Sequence, residues 1–273
     1  MSDTLAEPTE ETAFLDLHKK FVGEKKPNSA LQAIQEAALS RFETLGFPHS
    51  KHEMYTYVNT KNLAAIPFAI FNSSAEVSEG SIASHVYPSC ENSCLVFVNG
   101  VLNSSLSKLK GIEGTVKISS LTEKVDTDYV LASLENENDV FACLANAFCE
   151  DATVIEIADK TQVPVPIQVL FVSSGDTAAP VIHAPKLIWK IGKLAEVKVI
   201  EKSVGLQAGF FFNITLDWVI SVGAGVVLTQ VQADPFVAWN FFKTLVYLKR
   251  DARFHSPYAS SWSVLFRLPF LGP

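Results

Sequence analysis

Four cysteines, Cys90, Cys94, Cys143 and Cys149, have the widest chemical range in this sequence, as thiolate nucleophiles or soft metal ligands. Their spacing is Cys-x3-Cys and Cys-x5-Cys, so neither pair has the Cys-x2-Cys interval of a zinc knuckle or redox motif. They read as ordinary buried or half-buried thiols of a reducing compartment. Among the histidines His18, His49, His52, His85, His183 and His255, only His49 and His52 are close enough to share a ligand. No Cys or Asp lies near that pair, and both read as solvated loop residues. Gly192-Lys193 is the sole Gly-Lys, but Leu187 stands where a phosphate-cradling loop needs its first glycine. Gly223-Ala-Gly225 lacks the third glycine of a dinucleotide fingerprint and reads as a turn. No Gly-x-Ser-x-Gly elbow is present. Asp217 is an acid with catalytic potential, yet its neighbours make a polar outward strand face the simpler reading. The residues alone therefore identify no catalytic group and no metal-ligand set, and leave cofactor-binding residues unknown.

The elements that would position these groups change character along the chain. Phe14, Leu17 and Phe21 form a short helical stripe. Asn28 and Ser29 can cap a second helix, on which Leu31, Ile34, Ala38, Phe42 and Leu45 share one face before Gly46 and Pro48 end it. Lys19-Lys20 and Lys25-Lys26 read as solvated helix ends. Asn138 and Asp139 can cap a further helix with Val140, Phe141, Leu144, Ala147 and Phe148 on its apolar side. Elsewhere the period falls to 2, predicting strands at 153–157, 165–172, 186–191, 196–200, 210–222, 226–231 and 243–248. Leu187, Trp189 and Ile191 share one face, as do Phe210, Phe212, Ile214, Leu216, Trp218, Ile220 and Val222. Phe211, Asn213, Thr215 and Asp217 point the other way, toward solvent in a half-buried strand. No helix-length segment separates these strands and no strict repeat is visible, so a β-solenoid, a sandwich and a barrel all stay open.

Composition narrows the partners. With 48% hydrophobic and 19% charged residues the chain buries a sizeable core. A net charge of −7 argues against nucleic acid or an anionic membrane surface as the main partner. Residues 204–231 are apolar, but their period is 2. A central Asp217 would cost about 2.5–3.5 kcal/mol in a membrane, so no spanning helix is expected. The acidic start MSDTLAEPTEETAFLDL resembles neither a signal nor a transit peptide, predicting a cytoplasmic protein. The sequons at Asn72, Asn103 and Asn213 then carry no weight.

Five motifs in order add a resemblance. Gly46-Phe-Pro-His-Ser-Lys51-His-Glu53-Met-Tyr-Thr-Tyr57 looks like a family signature of Gly-x-Pro, Lys-x-Glu and an aromatic with Tyr-Thr, with Tyr55 in place of the usual Trp. Leu95-Val-Phe-Val-Asn99-Gly100 resembles a strand and turn of the same family. Asn138-Asp139-x-Phe141-x-x-Leu144-x-Asn146-Ala147 resembles its helix, with Ala145 where Asn is usual. Pro166-Ile167 and Ala184-Pro-Lys-Leu-Ile188 resemble later strands, Lys186 replacing Arg, and Arg250-Asp251-Ala-Arg-Phe254 resembles another. The family is SufB/SufD, the scaffold proteins of iron–sulfur cluster assembly, and the resemblance is to its SufD branch.

That resemblance implies a mainly β fold with α: a helical N-terminal domain over 1–80, then a right-handed parallel β-helix over 81–273, incomplete at the C-terminus, with the family's C-terminal helical domain absent. It implies a non-catalytic scaffold acting with SufB-like and SufC-like proteins, SufC docking being in doubt without that last domain. An iron–sulfur cluster and a flavin enter as cofactors by resemblance alone, and His255 does not match the family's functional histidine. Two alternatives stay open: a β-helix carbohydrate-active enzyme, for which Asp217 and Asp234 make a poor acid set, and a β-rich protein-binding module unrelated to clusters.

Overall fold

The computed structural model describes residues 10–25, 28–48, 60–70, 77–121, 124–174, 179–206, 210–232, 238–260 and 270–271. Lys26, His49, His52, the Lys51–Tyr57 part of the first motif, Asn72 and Asp234 lie outside the described residues. Helix α1 (Glu10–Glu24) buries Phe14, Leu17 and Phe21, the stripe that the spacing predicts. Helix α2 (Ser29–Leu45) starts where Asn28 Oδ1 accepts the Leu31 N–H. It ends at Gly46, whose φ of 71° suits a residue without Cβ and whose N–H reaches the Phe42 carbonyl. Short helices α3 (Thr60–Ala64) and α4 (Glu79–Ile82) follow, then α5 (Lys124–Glu135) and α6 (Val140–Ala147). The Asp139 carboxylate caps α6 by accepting the Phe141 and Ala142 N–H groups, as expected. Helix α5 was not legible, because its buried side mixes Asp126 and Thr127 with Val130 and Leu134 and so breaks the apolar stripe.

The strands are β1 (Cys94–Val98), β2 (Val101–Leu102), β3 (Val116–Ser120), β4 (Ala152–Ile157), β5 (Ile167–Ser173), β6 (Val181–His183) and β7 (Lys186–Ile191). They continue as β8 (Glu196–Gly205), β9 (Phe210–Ile220), β10 (Gly225–Gln232), β11 (Ala238–Leu248), β12 (Arg253–His255), β13 (Tyr258–Ser260) and β14 (Phe270–Leu271). All seven predicted strands are present, β8 and β11 longer than expected. They build two seven-stranded, mostly parallel sheets that do not close into a barrel. The first sheet runs β14-β11-β9-β7-β4-β3 with β6 on β9, the second β12-β10-β8-β5-β1-β2 with β13 on β10. From β7 to β12 the chain alternates between sheets at every strand, so each strand pairs with the next but one.

Turns between these strands stack in one corner. Lys160, Leu194, Gly223 and Asp251 all adopt left-handed backbone, with φ of 60°, 58°, 68° and 61°. The N–H of Lys160 donates to the Lys193 carbonyl, Leu194 to Val222, and Gly223 to Arg250. Each turn thereby bonds the turn before it. After three of these residues comes an alanine, Ala195, Ala224 or Ala252, packed toward the interior.

The core is layered. Between the sheets lie Trp189, Trp218, Phe171, Phe212, Leu216 and Val199 with their neighbours. A second cluster joins the outer face of the first sheet to α1, α2, α5 and α6. This layer corrects one expectation. Phe211, Asn213, Thr215 and Asp217 do not face solvent; every one is buried, because the helices cover the face that alternation alone assigns to water.

Candidate functional site

The thiols are all free and buried, as expected. Burial pushes Cys94, Cys143 and Cys149 up to about 12, which keeps them protonated at neutral pH and makes them poor nucleophiles. Among the described residues no group of three or more His, Cys, Asp or Glu side chains is placed to hold a metal ion. His18 is buried with Nε2 3.1 Å from the Ala147 carbonyl oxygen, and desolvation lowers its pKa. His183 lies between the sheets, 2.9 Å from Ser173 Oγ, where burial lowers its pKa to about 3. Both act as neutral hydrogen-bonding groups. His255 is exposed on β12.

Asp217 is committed to structure. Strands β7 and β9 pair so that Lys186 sits opposite Thr215 and Ile188 opposite Asp217. The diagonal brings Lys186 Nζ to 2.9 Å from Asp217 Oδ2, both buried. Four residues before Asp217 on the same face, Asn213 Nδ2 donates to the Phe141 carbonyl of α6 at 2.7 Å. All eight residues of α6 are buried, so this polar row of β9 anchors a helix instead of meeting a substrate.

An opening lies on the same sheet beside α5. A cleft of about 750 Å³ has Ile188 and Val219 in its floor and Lys117, Asp126, Glu156 and Lys190 around it. Lys190 Nζ is 2.5 Å from Asp126 Oδ1 and 3.6 Å from Glu156 Oε1, while Lys117 Nζ is 2.8 Å from Glu156 Oε2. The hydrogen bond from Lys117 is the main cause that lowers the Glu156 pKa. Two lysines and two acids thus neutralise one another over an apolar floor. The arrangement suits reception of an apolar group and supplies no unpaired acid–base couple. None of the four was singled out by sequence: Lys190 and Glu156 lie 34 positions apart and meet only through the β4–β7 register.

Residues 9–169 match the family described as the SufBD protein N-terminal region. An iron–sulfur cluster assembly SufBD family protein of Synechocystis is 24% identical, over 83% of this chain and 53% of the relative. The chain spans about half the length of that curated relative. Among the described residues no helix is long and apolar enough to cross a membrane.

Proposed function

Because this chain belongs to the SufBD family, we propose that it is a cytoplasmic, non-catalytic scaffold subunit of iron–sulfur cluster assembly. The observation that carries this reading is the match over 9–169, which runs unbroken from the helical layer through α6 into both sheets. The geometry supports a scaffold: thiols are buried, the acid of β9 is locked in an ion pair, and the cleft charges are paired to one another. Within the family we assign the chain to the SufD type, acting beside a SufB-like subunit and, with it, a SufC-like ATPase. We read its paired sheets as turns of a right-handed parallel β-helix. The strand alternation and the stacked left-handed corner support that fold, since a solenoid buries its core by laying each coil on the last. Cluster and flavin are cargo or cofactor of the assembly, and no residue here is assigned to either.

Co-expression with tagged SufB-like and SufC-like proteins, followed by affinity capture, tests the proposal. The expected result is stoichiometric recovery of this chain with the SufB-like subunit and restoration of cluster content in the captured complex. Failure to co-purify, together with turnover of a polysaccharide by the chain alone, would replace the scaffold with a carbohydrate-active enzyme.

A further inference from the structure

Among the described residues, the outer face of the second sheet is roofed over only part of its width. Above β1 and β5, Ile82 and Val86 pack onto Val96, Leu170 and Val172. Gln168 pins this roof, its Nε2 donating to the His85 carbonyl and its Oε1 accepting the Tyr87 N–H. At the border the Lys202 ammonium stands 5.3 Å from the centre of the Tyr87 ring. Farther along, the outward positions are those that alternate with the inward Val197, Val199, Val226, Leu228 and Phe254. Ile200, Val227, Thr229 and Val231 occupy the middle and are half-exposed.

Basic side chains flank these β-branched side chains. The register sets Lys198 and His255 on either side of Val227, and Lys202 beside Val231. Lys198 and His255 are exposed. The acid of this face, Glu196, is neutralised: Arg253 Nη2 reaches its Oε1 at 2.5 Å across Gly225. Gly225 makes that reach possible, since a Cβ there would stand 2.1 Å from a Glu196 carboxylate oxygen. The face is therefore apolar at its centre and basic at its rim, on a chain whose net charge is −7.

We propose that this face of β8, β10 and β12 docks an acidic segment of a partner protein. An apolar centre within a polar rim is the anatomy of a protein interface, and the sign of the rim selects the partner. A second copy laid face to face would set lysine against lysine. A long polyanion would feel the negative whole of the chain, whereas a short acidic segment feels mainly charges within about 8–10 Å. The inference is independent of the scaffold reading and stands or falls on binding alone.

Fluorescence anisotropy of a labelled peptide of repeated Glu-Glu-Leu triplets, titrated with the full chain, provides the test. Saturable binding that weakens with added salt is expected. Lys198→Glu with Lys202→Glu should lower the affinity about tenfold or more, and Val227→Asp should do likewise, in variants whose thermal melting matches the parent. Lys160→Glu, an exposed charge in the corner turn, should leave affinity unchanged. Equal binding by the face variants and the parent would overturn the proposal. So would tighter binding of a labelled single-stranded oligonucleotide, or self-association of the parent that the same variants abolish.

Discussion

Lys186 and Asp217 meet 2.9 Å apart beneath the helical layer, with side chains only 3% and 6% exposed. Neither charge would be tolerated there alone, because water is excluded and the partner supplies the compensating field. Lys186→Met should destabilise the fold by about 3–5 kcal/mol, leaving an uncompensated carboxylate. Adding Asp217→Leu should recover most of that loss. Urea unfolding of the single and double variants measures both, and a single-variant loss below about 1 kcal/mol would show that the pair is not buried as described.

The two faces of β9 should both resist substitution. Trp218 stacks on its register partner Trp189, with ring centroids 4.7 Å apart and planes 4° from parallel. Trp218→Ala should cost about 3–5 kcal/mol by opening a cavity between the sheets. On the opposite face Asn213→Asp removes the donor to the Phe141 carbonyl and buries a carboxylate against it. A loss of about 2 kcal/mol or more is expected, where an outward-facing residue would tolerate the change. Thermal melts of the two variants decide the matter; a parent-like melt for Asn213→Asp would return that face to solvent.

Two interior groups shape the pH dependence in opposite directions. Burial raises the Glu201 pKa to about 8, and Gln230 Nε2 donates to its Oε2 at 3.0 Å. Between about 4.5 and 8 the unfolded chain gives up this proton and the folded one keeps it, so stability falls as pH rises. For His183, lowered to about 3 by burial, the unfolded chain binds the extra proton between about 3 and 6.5, so stability falls as pH drops. The two contributions offset one another between about 4.5 and 6.5 and decline on either side. Glu201→Gln should flatten the alkaline limb relative to the parent, and His183→Gln the acid limb. Chemical denaturation across pH reads each difference, and parallel parent and variant curves would refute the assignment.

Thiol accessibility gives a simpler check. With Cys90, Cys94, Cys143 and Cys149 buried, Ellman's reagent should label almost no thiol rapidly in the native protein and four after unfolding. Rapid native labelling of any one would mark an exposed thiolate that the described packing excludes.

Much of the local structure was legible because it repeats at the period of its own element. The Phe14–Phe21 and Leu31–Leu45 stripes, the Asp139 cap, and the inward rows carrying Trp189 and Trp218 are written in nearest-neighbour spacing. The stacking of the left-handed turns was not. Leu194-Ala-Glu-Val, Gly223-Ala-Gly-Val and Asp251-Ala-Arg-Phe occupy the same corner, but the left-handed position is filled by Leu, Gly or Asp in turn, and at Leu194 and Gly223 its N–H bonds the following turn. A repeat held by backbone geometry leaves little trace in side-chain identity.

By itself, then, the sequence determined α1, α2, α6 and seven of the strands, and which strand face is most apolar, since those follow from periodicity within one element. Only the tertiary structure decided that Asn213 and Asp217 lie under a helix and that Lys190 meets Asp126 and Glu156. A polar side chain in a strand alternates identically whether it faces water or a buried partner. Choosing between the two requires knowing which distant segment packs above it, and that depends on strand register and helix docking.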